Sequence, residues 1–126
     1  MNTENKITEL TPRELAEVII KTLDEKKANN LKLLRIDDKT ILSDYFVICG
    51  GNSNTQIRAL AGEVEKKLEE MGINPHHIEG YNEATWTVLD YGSVIVHIFS
   101  REAREFYKLE KLWSDAEDID ISGLLI

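Results

Sequence analysis

The chain has 126 residues, of which 42% are apolar and 30% charged, a composition typical of one soluble globular domain with its own core. Its 23 acidic and 15 basic residues give a net charge of -8, which opposes binding to nucleic-acid phosphates and favours a basic protein as partner. The apolar runs are too short to cross a bilayer and residues 1–6 carry no export signal, so we expect a cytoplasmic protein rather than a membrane protein.

The first half of the chain contains the signals of two strands and a helix, after a polar segment, residues 1–10, that we expect to be flexible. Thr11 and Glu14 can form a capping box around a proline, which predicts that a helix begins there. The broken apolar run at 31–36 predicts a strand near a sheet edge. The continuous apolar run at 45–49 predicts a strand that is buried on both faces.

The middle of the chain contains the most strongly patterned helix. Ser53 and Gln56 can cap its start, and an apolar stripe at helical spacing continues to Met71 before a glycine. Residues 73–82 are less regular because a proline interrupts them, and a short strand near 78–81 is one interpretation.

A β-hairpin and a last helix complete the pattern. Two apolar strands meet at Asp90–Ser93, a sequence typical of a tight antiparallel turn. Ser100 can cap a helix that reaches Trp113, and an acidic C-terminal tail, residues 115–126, follows. The order of elements predicts a single α/β domain, residues 11–114, with a mixed sheet of about five strands flanked by helices.

The residues that could act in catalysis or bind a ligand have simpler structural explanations. Gly50–Ser53 lies between a strand and a helix start, where backbone amides can hold a phosphate, but it lacks the spacing of the known phosphate loops. Nucleotidyltransferases share this strand-glycine-serine-helix order, yet they need convergent carboxylates, and the adjacent pair Asp37-Asp38 would point to opposite strand faces. The pair His76-His77 lacks further metal ligands, and Cys49 lies in an apolar run. We therefore expect no catalytic residue, metal or cofactor.

The hairpin carries aromatic and polar residues where a buried strand would hold aliphatic ones. If its loop is Tyr91-Gly92, Trp86 faces His97 across the strands, and both lie on the same side as Asp90. One interpretation is that helices cover both faces and that Trp86 and His97 belong to the core. The other is a partly open docking face, with Trp86 as an anchor and Asp90 selecting a basic partner.

The last helix has two sides as well. The residues expected in the core are Phe106, Leu109 and Trp113. The residues expected on the other side are Arg104, Tyr107 and Glu110. A solvated face explains the second set, and so does an interface, since interfaces favour Tyr and Arg.

Five separate motifs resemble the ribosomal silencing factor, or Iojap-like, family in order and spacing. They are DYFVICGGNS at 44–53, EG at 79–80, WTVLDYG at 86–92, VIVHIF at 94–99 and REFYKLEKLW at 104–113. The resemblance covers nearly the whole chain from the first helix onward. It implies a nucleotidyltransferase-like α/β fold without catalytic carboxylates, in agreement with the missing carboxylate pair.

The resemblance also implies a function. The expected protein is a non-enzymatic factor that binds the large ribosomal subunit through its fourteenth protein and blocks joining of the small subunit when nutrients are short. The partner-binding residues that the motifs imply are Trp86, Asp90, Tyr91, Gly92, Arg104 and Tyr107. Ser93 departs from the family, which usually has an acidic residue there, so one candidate ion pair is lost. The sequence leaves open a homodimer, and the alternative functions are a nucleotide binder like the nucleotidyl or phosphoryl transferases and a docking module outside the ribosome.

Overall fold

The computed structural model describes residues 10–126, so the predicted flexible N-terminus, apart from Leu10, lies outside the described residues. The helices are α1 (Pro12–Glu25), α2 (Asn54–Glu70), α3 (Arg101–Tyr107) and the single turn α4 (Leu109–Leu112). The strands are β1 (Asn29–Arg35), β2 (Tyr45–Gly50), β3 (His77–Glu79), β4 (Trp86–Asp90), β5 (Val94–Phe99) and β6 (Glu117–Asp118). A short 3-10 helix, Ser122–Leu124, lies near the end of the chain.

The strands form one mixed sheet of six strands in the order β3-β4-β5-β2-β1-β6. The central strands β2 and β5 are parallel, and the other neighbouring pairs are antiparallel. The parallel pair requires a crossover between β2 and β5, which contains α2. The predicted α/β class with a mixed sheet is confirmed, and the strand beyond the expected five comes from the C-terminal segment.

Both long helices begin where the capping signals predicted. At α1 the Thr11 hydroxyl accepts from the Glu14 N–H at 3.1 Å, and the Glu14 carboxylate accepts from the Thr11 N–H at 3.0 Å. At α2 the Ser53 hydroxyl accepts from the Gln56 N–H at 3.0 Å, but the Gln56 side chain bonds to the N–H of Asn52 instead of Ser53. Local hydrogen bonds therefore determine both starts.

Two apolar cores lie on opposite faces of the sheet. The first is formed by α1 and α2 against the sheet and includes Leu15, Ile19, Leu23, Ile57, Leu60, Val64, Val47, Leu89, Val96 and Ile98. The second is formed under α3 and α4 and includes Leu34, Phe46, Ile48, Ile95, Phe99, Ala103 and Leu109. The strand β2 is buried on both faces, as its continuous apolar run predicted.

The hairpin register differs from the predicted one. Trp86 pairs with Phe99 and not with His97, and the Tyr91 N–H donates to the Val94 carbonyl at 2.9 Å, so the loop is Gly92-Ser93. Gly92 has φ +84°, which makes it the natural first residue of the loop. The predicted Tyr91-Gly92 loop is wrong, but the pairing is displaced by two residues, so each side chain stays on its expected face.

The predicted continuous last helix is also wrong. Lys108 adopts a left-handed conformation with φ 49°, and its N–H bonds to the Arg104 carbonyl, which ends α3. The chain then restarts as α4 in a new direction. Leu109 reaches the core as predicted and Trp113 packs against it, whereas Phe106 stays 79% exposed because the helical spacing stops between them.

The acidic C-terminal segment, residues 115–126, packs against the rest of the described chain. β6 pairs with β1 through Asp118 opposite Leu34, and Ile121 is buried in the core that contains α1. Lys32 on β1 also makes an ion pair with Asp118 at 3.3 Å. Within residues 10–126, no helix has both the length and the apolarity needed to cross a membrane.

Candidate functional site

One face of β4 is only partly covered by the helices. Its alternate residues Trp86, Val88 and Asp90 are half-buried, whereas Thr87 and Leu89 between them are fully buried on the opposite face. The core under α3 and α4 centres on β5, β2 and β1, and Trp86 and Val88 of β4 lie partly buried at its margin. On the neighbouring edge strand β3, the residues of this side are exposed.

Trp86 is held firmly at one end of this face. Its ring stacks on Phe99, its cross-strand partner, with the centroids 5.0 Å apart, and Tyr107 of α3 lies against it at 4.8 Å. The indole N–H donates to Nδ1 of His97 at 3.1 Å. The indole is thus fixed in one orientation while part of its surface remains open to solvent.

His97 lies beneath Trp86 and is 6% exposed. Burial lowers its pKa to about 4, so the ring is neutral near pH 7. Because Nδ1 accepts the indole hydrogen bond, the proton of the neutral ring is assigned to Nε2, which has no hydrogen-bond partner among the residues of the described part. His97 therefore supports Trp86 from inside the protein, and it does so through a hydrogen bond diagonal to the cross-strand pairs.

Asp90 lies at the other end of the face, four residues from Trp86, or roughly 13 Å along the strand. One carboxylate oxygen accepts from the Gly92 N–H at 2.8 Å. The Gly92 carbonyl in turn accepts from the Ser43 hydroxyl at 2.9 Å, and a side chain at position 92 would meet His76 at 3.0 Å. This network fixes the turn and holds the Asp90 carboxylate in place.

The side chain of Tyr91 lies on the opposite face from Trp86 and Asp90. It is 6% exposed and belongs to the core under α1 and α2, and burial raises its pKa above the ordinary value. Its hydroxyl has no hydrogen-bond partner within residues 10–126. Of the four hairpin residues implied as partner-binding, Tyr91 alone turns inward, so its side chain anchors the turn to the core.

Tyr107 and Phe106 extend the aromatic surface beyond Trp86. Tyr107 is 53% exposed, and Phe106 stands edge-on to it with the ring centroids 5.0 Å apart. The predicted core position of Phe106 is wrong because α3 ends at Lys108. We call Trp86, Val88 and Asp90 with Phe106 and Tyr107 the β4 surface.

Arg104 lies apart from the β4 surface. Its guanidinium donates twice to the Glu110 carboxylate, with the shortest contact at 2.8 Å, and also to the Asn30 carbonyl at 2.8 Å. Burial alone would raise the pKa of Glu110, but the hydrogen bonds and charge of Arg104 outweigh it, so the pKa is lowered. Arg104 and Glu110 meet, but as an ion pair across the break between α3 and α4 and not on one face of a continuous helix, and Tyr107 points instead towards Trp86.

The described residues offer no group of three or more His, Cys, Asp or Glu side chains that could hold a metal ion. Cys49 is fully buried, and burial raises its pKa to about 12, so it is a thiol at neutral pH. Cys49 is a core residue that does not reach the surface, as its sequence context predicted.

Comparison with known proteins identifies the family of the chain. A sequence model of the family described as "Ribosomal silencing factor during starvation" matches residues 9–125. The chain belongs to this family. It is 37% identical over 116 residues to the ribosomal silencing factor RsfS of Halalkalibacterium halodurans, covering 92% of this chain and 99% of the relative. The Bacillus subtilis protein of the same name is 36% identical, covering 89% of this chain and 95% of the relative.

The resemblance to the ribosomal silencing factor family is thus confirmed, and solved structures agree with the fold. A crystal structure of a protein from Chromobacterium violaceum superposes with a TM-score of 0.81 at 30% identity, covering 83% of this chain and 88% of that one. One from Bacillus halodurans gives 0.77 at 37% identity, covering 86% and 98%. A more distant mouse relative is named "Mitochondrial assembly of ribosomal large subunit protein 1" and is 29% identical, covering 78% of this chain and 44% of its own length.

The sequence predicted part of the β4 surface and missed the rest. The alternation of the hairpin placed Trp86 and Asp90 on one face, and the structure shows both there. Phe106 was missed, because helical periodicity assigns it to the core. The exposure of Phe106 could be predicted only by recognising that the helix ends at Lys108, and no residue in the sequence signals this end.

Proposed function

We propose that this chain is a ribosomal silencing factor that binds the large ribosomal subunit through its fourteenth protein and blocks joining of the small subunit. The observation that carries the proposal is the fixed, half-exposed Trp86 on the same strand face as Asp90. Family membership supports the ribosomal context, since its bacterial relatives are named ribosomal silencing factors.

The β4 surface has the physical properties of a protein-binding site. Interface energy concentrates in a few aromatic anchors, and truncating such an anchor costs about 2 kcal/mol or more. Trp86 loses little freedom on binding, because Phe99, Tyr107 and the hydrogen bond to His97 already fix its ring. The exposed ring of Phe106 adds apolar area at the margin.

Charge selects the partner in this proposal. Asp90 makes no ion pair with another residue in the described range, so its carboxylate is available to a Lys or Arg of a basic ribosomal protein. The net charge of -8 favours the encounter with such a protein. Ser93 in the turn offers a hydroxyl where the family usually offers a carboxylate, so Asp90 carries the charge recognition.

The remaining implied residues act indirectly in this proposal. Gly92 and the buried Tyr91 side chain hold the turn that positions Asp90. Arg104 ties α3 to Glu110 and to the backbone of β1, which keeps Tyr107 over Trp86. The chain acts by occlusion, which requires no catalytic group. A domain of this length has a radius of gyration of roughly 14 Å, large enough for one bound copy to separate two surfaces.

The test is a subunit-joining assay. Isolated large subunits are incubated with the protein, small subunits are added, and joined particles are measured by sedimentation. The expected result is a loss of joined particles as protein concentration rises, with the protein sedimenting on the large subunit. Unchanged joining at saturating protein would contradict the proposal.

A matched pair of charge reversals locates the binding surface. Asp90→Lys is expected to weaken binding to the isolated fourteenth protein of the large subunit by about tenfold or more, measured by calorimetry. Glu70→Lys makes the same charge change at an exposed position at the end of α2 and should leave the affinity unchanged. Equal affinities of the two variants would show that the interface lies elsewhere.

A further inference from the structure

A second surface feature lies at the opposite end of β5 from the hairpin turn, beside α3, the helix that also carries Phe106 and Tyr107 of the β4 surface. It is a cleft of about 740 Å³ at the carboxyl ends of the parallel strands β2 and β5. It is lined by Gly50, Gly51 and Asn52, where β2 ends, and by Ser100 after β5. The cleft has the volume of an ordinary small-molecule site, and neither Trp86 nor Asp90 lines it.

The chain topology creates this cleft. From the carboxyl end of β2 the chain continues into α2, which packs in the core on one face of the sheet. From the carboxyl end of the adjacent strand β5 it continues into α3, which packs on the other face. Two neighbouring parallel strands whose chains leave in opposite directions open a crevice between them, and ligands of α/β proteins bind at such points.

The walls of the cleft are positively charged, in contrast to the rest of the chain. Its basic side chains are Arg101, Arg104, Lys108 and Lys111, and its acidic ones are Glu105 and Glu110. Arg104 is paired with Glu110, and Lys108 lies 4.0 Å from Glu105. Within residues 10–126, Arg101 and Lys111 form no ion pair, so two cations are available to a ligand.

A local excess of two positive charges in a protein of net charge -8 is a specific feature of the folded state. The sequence showed no clear concentration of basic residues. The fold creates the concentration by placing α3 and α4 across from the loop that follows β2. Cations that line a concave surface attract an anion more strongly than the same charges spread over a convex surface.

Polar groups of the loop after β2 complete the site. The Asn29 amide donates to the Asn52 side-chain oxygen at 2.9 Å, which closes one end of the cleft. A β-carbon at position 50 would collide with the Asn29 side chain, so Gly50 is needed for this closure. Next to the cleft, a smaller depression of about 340 Å³ reaches Ser53 and Asn54, where α2 begins and its first amide N–H groups lack helical partners.

We propose that this cleft binds a small phosphate-bearing ligand of mononucleotide size. Arg101 and Lys111 contact the phosphate groups, and the Asn29-Asn52 end contacts the organic part. The described residues provide no carboxylate cluster for metal ions, so the site binds its ligand without transferring a phosphoryl or nucleotidyl group. A short cleft with acidic residues inside it fits a small anion better than the long backbone of RNA. The proposal is independent of the proposed ribosomal function.

The test uses the full chain and calorimetry in buffer with a chelator and without divalent metal. The probes are AMP, ATP, GTP, inorganic phosphate and a single-stranded RNA oligonucleotide. At least one nucleotide is expected to bind, and the double variant Arg101→Ala with Lys111→Ala should weaken that binding by about tenfold or more. Both side chains are exposed, so the variant should fold normally, which circular dichroism checks.

The matched control is the double variant Lys66→Ala with Lys67→Ala. It removes two exposed cations near the end of α2, roughly 20 Å along the helix from the cleft, and should bind the nucleotide as the wild type does. Amide NMR shifts on nucleotide addition should centre on Gly50, Gly51 and Ser100. Binding of the RNA but of no nucleotide, binding of inorganic phosphate alone, equal losses in both double variants, or no binding at millimolar nucleotide would each overturn the proposal.

Discussion

The two faces of the β4–β5 hairpin are built by the same eleven residues of strand, yet they are covered differently. On one face Leu89, Val96 and Ile98 are completely buried under α1 and α2. On the other, Trp86 and Asp90 are half-buried because the helices bury β5 but cover β4 only in part, with Tyr107 of α3 against Trp86. The closed face contributes stability through apolar burial, whereas the partly open face contributes less stability and remains available to a partner.

The difference teaches that stability and recognition are separated within one pair of strands. Each strand alternates its side chains between the faces, so neighbouring residues serve different purposes. A substitution on the closed face should lower the free energy of unfolding and leave the affinity for the partner unchanged. A substitution on the β4 surface should mainly lower that affinity. The following five changes test this separation, from the largest expected effect to the smallest.

Leu89→Ala should destabilise the protein by about 2–5 kcal/mol, because Leu89 is fully buried and its truncation leaves a cavity under α2. Urea unfolding followed by circular dichroism measures the loss. The neighbouring Val88→Ala, on the half-buried face, serves as a control and should cost about 1 kcal/mol or less. Similar losses in both variants would show that the two faces are equally closed.

Acid should destabilise the folded protein through His97, which lies beneath Trp86 on the partly open face. Its folded pKa of about 4 lies below the ordinary 6.5, so the unfolded chain binds a proton that the folded chain does not. The contribution of His97 to the free energy of unfolding is therefore complete above pH 6.5 and decreases as the pH drops towards 4. Below pH 4 this group causes no further change, and the total decrease is on the order of 3 kcal/mol.

The pH effect is measured by urea unfolding at a series of pH values, with His97→Gln as the control. Glutamine keeps an oxygen that can accept from the Trp86 indole but does not titrate in this range. The variant should lose most of the slope between pH 6.5 and 4. An unchanged slope would mean that another group causes it.

Trp86→Ala should weaken binding to the large ribosomal subunit by about 2 kcal/mol or more, roughly 30-fold. Trp113→Ala is the matched control, since Trp113 is also partly buried but packs edge-on to Phe46, with the ring centroids 5.3 Å apart, away from the β4 surface. It should lose stability and keep its affinity when folded. Sedimentation with the subunit measures both, and an equal loss of affinity would place the interface outside the β4 surface.

Gly92→Ala should cost about 1–2 kcal/mol of stability, because φ is +84° and the new methyl group would lie 3.0 Å from the His76 ring. Affinity should fall as well, since the Gly92 N–H holds Asp90. Gly123→Ala is the control, because that position is open and its φ is ordinary. Thermal unfolding compares the two, and equal midpoints would contradict the role of the turn.

Phe106→Ser should change stability by less than about 0.5 kcal/mol, because the ring is 79% exposed. Affinity for the large subunit should nevertheless fall several-fold if Phe106 extends the β4 surface. Leu112→Ser, at a 76% exposed position on α4 outside the aromatic contacts, is the control. Wild-type affinity in the Phe106 variant would show that Phe106 does not contribute to binding and that the β4 surface consists of the β4 residues and Tyr107.

The parts of the fold that local signals determine could be predicted from the sequence. The capping residues Thr11 and Ser53 mark the two helix starts, and the continuous apolar run from Tyr45 marks the strand buried on both faces. The alternation along β4 separated Leu89 from Trp86 correctly. Each of these signals acts within a few residues, so one sequence suffices to show it.

The parts that depend on a single side-chain contact or on distant residues could not be predicted. The hairpin loop lies at Gly92-Ser93, where the Asp90 carboxylate bonds to the Gly92 N–H, and the last helix ends at a left-handed Lys108 where no glycine signals the break. The burial of the Tyr91 side chain depends on the loop being Gly92-Ser93, which places Tyr91 at the end of the paired strand. The basic cleft brings residues 29–30, 50–52 and 100–111 together, which no local pattern contains.

The parallel pairing of β2 with β5 has a consequence for the synthesis of the chain. Tyr45 pairs with Val94 and Gly50 with Phe99, so the centre of the sheet joins segments that are far apart in sequence. The closing of such a long loop slows folding, and β2 has no partner on that side until residue 99 has left the ribosome. The central pairing of the sheet therefore forms only after β5 has been synthesised, and β6 completes the sheet by adding to β1 later still.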